Sequence, residues 1–148
     1  MWKVLAAGEV KWILFEFTSL VVAIGKVETC DVVDIVKVNG IVSGLTDSSL
    51  DNLADNGCKI RYCIQQASEA ISVPTGWMAA ECVTKGMLVY GVRKTIFNTG
   101  AVAAESYKAI IDSKKAAGQN TTKMENVCEF ISNSRPNQAQ QQQAATEA

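Results

Sequence analysis

The sequence predicts an all-α protein: a bundle of five or six helices with a long apolar N-terminal helix and a low-complexity C-terminal tail. Three observations predict it. Polar residues recur at helical spacing through the first 45 residues. Helix-start and helix-stop residues punctuate the chain at regular intervals. The 48% apolar content, with only two prolines in 148 residues, supplies a core and few breakers. Residues 1–135 are expected to form a single helical domain and residues 136–148 a Gln/Ala-rich tail.

The N-terminal helix is expected over Trp2–Val27, where Glu9, Glu16 and Ser19 form a narrow polar stripe. The rest of that run is large and apolar, including Trp12, Phe15 and Phe17, the expected helix-packing residues. A helix apolar around most of its circumference must be covered by other helices, another subunit or lipid. In Asp31–Leu45 the valine and isoleucine content favours strand. The three-residue spacing of Asp31, Asp34 and Lys37 nevertheless predicts helix. Gly40 and Gly44 then make a small-xxx-small face for close backbone approach, or Asn39-Gly40 ends the helix in a turn.

Thr46-Asp-Ser-Ser49 opens a third helix, carrying Leu50, Leu53, Ile60, Cys63, Ile64 and Ile71 at three-and-four spacing. Asn56-Gly57 interrupts it. Pro74 marks a connection, after which Thr75 caps a helix through Ile96. Ala101–Ala117 is an alanine-rich helix closed by Lys114, Lys115 and Gly118. Thr122-Lys-Met-Glu125 has the pattern of a capping box for a last short helix.

Catalytic equipment is sparse. The chain has no histidine, which removes the commonest general base and metal ligand. No Walker, dinucleotide or nucleophile-elbow motif occurs. Cys30, Cys58, Cys63, Cys82 and Cys128 lack zinc-site spacing and read as reduced, mostly buried thiols, with Cys82 beside Lys85 the best placed for activation. The pairs Asp31/Asp34 and Asp51/Asp55 read as solvated surface. Neither an enzyme, a cofactor, a metal site nor a small-molecule substrate is expected.

Membrane signals are weak. The apolar run Trp12–Ile24 is 13 residues long, against about 20 for a span. Glu9 and Glu16 interrupt the outline of a secretory leader.

The charge distribution is more informative than its −1 total. Residues 1–84 carry a net of −4, residues 85–123 a net of +5 and residues 124–148 a net of −2. Lys85, Arg93, Lys94, Lys108, Lys114, Lys115 and Lys123 make the basic set, the expected assembly or anion-binding residues. The expected function is a structural, self-assembling helical subunit of a larger particle of filament, shell or coat type, partnered by copies of itself or other subunits. One alternative is an accessory subunit of a membrane-associated complex. The other is a helical module binding nucleic acid, or an anionic membrane, through residues 85–123.

Overall fold

The computed structural model describes residues 1–94 and 101–133, and the backbone alone at residues 2, 87–94, 101–103 and 131–133. The all-α bundle is not what forms. The order is β1 (Trp2–Glu16), α1 (Phe17–Val27), α2 (Ile35–Ser43), α3 (Asp47–Asp55), β2 (Ile60–Gln66), β3 (Ala70–Ser72), β4 (Trp77–Lys94), α4 (Ala101–Ala116) and α5 (Thr122–Asn133). The four strands make one antiparallel sheet in which β1 pairs with all three others. On one side it meets β3 at Trp2–Val4 and β2 at Glu9–Phe15; on the other it meets β4 along its whole length.

The correction at β1 has a plain physical cause. A strand covered on both faces reads as an unbroken apolar run, without the alternation that marks a half-exposed strand. Trp12, Ile13, Leu14 and Phe15 are consecutive and all buried. Trp12 and Leu14 point to one face, Ile13 and Phe15 to the other. The Glu9–Glu16 stripe is therefore not a helical face. Glu16 ends the strand and caps α1, its carboxylate accepting from Ser19 N at 3.3 Å. The long apolar helix is one of the grounds for expecting a filament, shell or coat subunit, and the structure removes it. Among the described residues no helix is long and apolar enough to cross a membrane.

The segment expected to run as helix from Thr46 to Ile71 stops at Asp55, where Gly57 takes a φ of +92° that ends the turn. The start is as the residues indicate, with Thr46 and Ser49 forming a reciprocal capping box. The helix expected from Thr75 to Ile96 is β4 instead. The helix in Asp31–Leu45 does form, as α2, with Asp34 Oδ1 accepting from Lys37 N at 2.8 Å. The tail at 136–148 lies outside the described residues.

β1 folds back over itself. Nine residues of straight strand would part Lys3 from Trp12 by about 30 Å, yet the Lys3 ammonium lies 4.7 Å from the Trp12 ring centroid. The bend falls where the register with β4 slips between Val4 and Val10. There Gly8 and Gly86 both take positive φ, and their backbones approach each other. The coil encloses Leu5, Val10, Trp12, Leu14 and Val73. The opposite face of the sheet presents Ile13, Phe15, Ile60, Met78 and Ala80 to α1, α2, α3 and α4, making a second and larger core with Phe17, Leu20, Ile24, Val38 and Leu53.

α4 is fixed at both ends of its described face. Ser113 Oγ donates to Val33 O at 3.2 Å. Ser106 sits against Gly76, whose φ of +81° favours glycine and where a Cβ would collide with the serine side chain. Two predictions follow from this packing. Trp12→Ala should cost about 3–5 kcal/mol in urea unfolding followed by circular dichroism, because it empties the coil. Gly76→Ala should cost about 2–3 kcal/mol, combining backbone strain with the collision. A double-mutant cycle with Ser106→Gly should show favourable coupling, since the second change removes the collision but leaves the strain.

Candidate functional site

The basic set is spread over three elements, β4, α4 and α5. Lys85 faces Glu9 across the sheet, while Arg93 and Lys94 pair with Lys3 and Trp2 at the far end of β4. The side chains of Arg93 and Lys94 lie outside the described residues. Lys108, Lys114 and Lys115 belong to α4 and Lys123 to α5. Lys115 Nζ stands 2.5 Å from Glu125 Oε1, tying α4 to α5. The hydrogen bond with that carboxylate raises the Lys115 pKa, and the same bond lowers that of Glu125.

The expected packing residues are core, but strand core in part: Trp12 lies inside the coil, Phe15 on the helix-packed face and Phe17 in α1. Gly40 and Gly44 make no close backbone approach. A Cβ at Gly40 would meet nothing within 4 Å, and Gly44 is simply the C-cap of α2.

All five thiols are free. Cys82 is exposed on β4, whereas burial pushes Cys58 up to about 11. Among the described residues no group of three or more cysteine and acidic side chains could hold a metal ion.

Two arrangements stand out. The first is a buried polar cluster inside the coil. Lys3, almost wholly buried, pairs with Glu81 and lies over Trp12. Trp12 Nε1 donates to Gln65 Oε1 at 2.9 Å. Gln65 Nε2 in turn donates to Lys3 O at 3.1 Å and Glu69 O at 2.8 Å. These bonds link both halves of β1 through β2, so the cluster holds the bend closed. A cleft of about 330 Å³ opens beside it, lined by Trp77, Tyr107 and Ile110 among others.

The second arrangement is the outer edge of β2. Glu16 N donates to Lys59 O at 3.1 Å, so Lys59 turns its backbone toward β1. In an antiparallel ladder that orientation alternates. Arg61, Cys63 and Gln65 therefore also face β1, and Ile60, Tyr62, Ile64 and Gln66 aim their N–H and C=O groups outward. Gln66 is answered locally, its N–H donating to Glu69 Oε2 at 2.8 Å. Ile60, Tyr62 and Ile64 are met by no other strand among the described residues. Their side chains share the face of Ile13 and Phe15. The helices cover the Phe15 end but leave Tyr62 53% and Ile64 60% exposed. Lys11 stands behind them with its ammonium 5.4 Å from the Tyr62 ring.

The other edge differs. β4 carries Glu81 and Lys85 along its exposed stretch and the bulge at Gly86, the usual guards against strand pairing. β2 has no such guard between Ile60 and Ile64 except Arg61, which lies over the Trp77 ring on the other face at 5.0 Å. The residue reading missed this edge. The alternation Ile60, Tyr62, Ile64 was its one signal, and the three-and-four spacing of Ile60, Cys63 and Ile64 competed with it.

Comparison with family models, with curated proteins and with solved structures returned no match to this chain.

Two predictions test that geometry. Ile64→Pro removes an outward N–H and should leave the melting temperature within a few degrees, whereas Cys63→Pro removes a donor to β1 and should cost about 3 kcal/mol or more. Among the thiols, Cys82 should be alkylated first at mildly alkaline pH. Cys58 should resist until the pH approaches 11, as read by mass spectrometry over a pH series.

Proposed function

We propose that this chain is a non-catalytic protein-association subunit that accepts an extended polypeptide segment along the outer edge of β2. The row at Ile60, Tyr62 and Ile64, unpaired among the described residues, on a strand whose Tyr62 and Ile64 side chains are uncovered, carries the proposal. Strand addition to an open sheet edge draws affinity from main-chain hydrogen bonds and specificity from alternate side chains. Here the alternate side chains supply an apolar surface flanked by the Lys11 ammonium. The long central strand and the cluster around Lys3 keep that edge extended without a partner, which lowers the ordering cost of binding.

The absence of histidine from the sequence supports a binding role over acid–base catalysis. The most buried ionic pair, Lys3 with Glu81, is engaged in closing the coil.

The test is selection from a displayed library of ten-residue segments against the full chain, followed by counter-selection against Ile64→Pro. The expected result is enrichment of segments with alternating apolar residues whose binding falls at least tenfold on Ile64→Pro. Binders indifferent to Ile64→Pro, or none at all from a chain that is monomeric, would overturn the proposal.

A further inference from the structure

Building on the association reading, we infer that the segment β2 accepts is β2 of a second copy, paired antiparallel about a two-fold axis through Cys63. In that register Tyr62 of each copy stands opposite Ile64 of the other, Ile60 opposite Gln66, and Arg61 opposite Gln65. The outward rows coincide, so Tyr62 and Ile64 exchange both main-chain bonds with their opposites. The two-fold axis is perpendicular to the sheet, and the helices of both copies lie on one face.

Three features of β2 single out this arrangement. The strand is self-complementary in side-chain type: it sets an aromatic residue against a β-branched one on the uncovered face, a favourable cross-strand pair. Its ends are opposite in charge. Lys59, with its side chain 71% exposed, precedes the strand, and the Glu69 carboxylate caps the row at Gln66. Antiparallel pairing brings the lysine end of one copy to the glutamate end of the other, twice by symmetry. Lastly, Arg61 must avoid its own copy. Shifting the axis to Tyr62 also matches the outward rows, but it puts Arg61 opposite Cys63 and diagonal to the second Arg61, about 7–8 Å away. The axis at Cys63 places the two guanidinium groups four residues apart.

The register gives a direct reporter. Cys63 faces β1 with its main chain, so Cys63 opposite Cys63 is a non-hydrogen-bonded pair, whose Cα atoms lie about 4.5 Å apart. A disulfide can span that distance. The experiment uses the full chain with Cys82→Ser, which leaves Cys63 as the lone thiol in the tryptic fragment from Tyr62 to Lys85. Light scattering first measures the mass. Diamide then oxidises the sample, accepting the two electrons and two protons that a pair of thiols gives up. Mass spectrometry identifies the linked fragments.

The expected results are a mass twice 15.9 kDa, a Cys63–Cys63 link as the main product, and loss of both on Ile64→Pro at the same concentration. Burial raises the Cys63 pKa, with Glu69 adding to it, so linking should quicken as the pH rises. A dimer that survives Ile64→Pro, or whose Cys63 thiols do not link, overturns the two-fold register. A monomer at every concentration overturns the second copy as occupant. In that case library segments that bind and are lost on Ile64→Pro would leave β2 as a binding edge for another protein. A monomer without such segments would overturn both.

Discussion

The molecule is organised around a strand that has no free side. β1 is hydrogen-bonded along both edges and buried on both faces through Trp12–Phe15. Every other element is placed by what it covers. β2 and β4 satisfy its backbone, the helices cover Ile13 and Phe15, and the folded-back first residues cover Trp12 and Leu14. A backbone buried this completely must have all its groups paired, which leaves little freedom in register. The bend at Gly8 and Gly86 is the one concession, and it lets a single long strand serve both halves of a coiled sheet.

Satisfying the centre exposes the rim. An antiparallel sheet that does not close has two edges, and this one treats them differently. β4 carries charge and a bulge, while β2 presents an apolar, regular row. The polar cluster from Lys3 to Gln65 fastens β2 to the bend from inside, so the edge is held straight by interactions that do not use its outward groups. Stability and availability for pairing thus come from opposite sides of one strand.

The ion pairs among the described residues join elements that are neighbours in the fold. Lys3 pairs with Glu81, Lys59 with Glu16, and Lys115 with Glu125. Each partner comes from a neighbouring strand, from the loop entering β2 or from a neighbouring helix, and of these three pairs only Lys115 with Glu125 joins the basic stretch to an acidic one. The exposed members of these pairs contribute little to stability, and their arrangement matters more for which contacts are disfavoured.

Local chemistry was legible from the residues. The capping box at Thr46 and Ser49, the three-residue polarity of α2, the alanine-rich α4 and the stop at Gly118 all depend on groups within a turn or two of each other. The strands were not legible, because period is informative only where one face meets water. Between Trp12 and Phe15 β1 has none, and that unbroken apolar run imitates a buried helix. In β2 two periods coexist, Ile60, Tyr62, Ile64 at two and Ile60, Cys63, Ile64 at three and four, and pairing with β1 selected the first. The sequence by itself determined the start of α3, the helices α2, α4 and α5, and that no histidine is present for acid–base chemistry. Only the tertiary structure decided that the apolar N-terminal run is a strand and which backbone groups of β2 face outward. Both are set by long-range pairing across 45 to 92 residues, and no local propensity encodes that pairing.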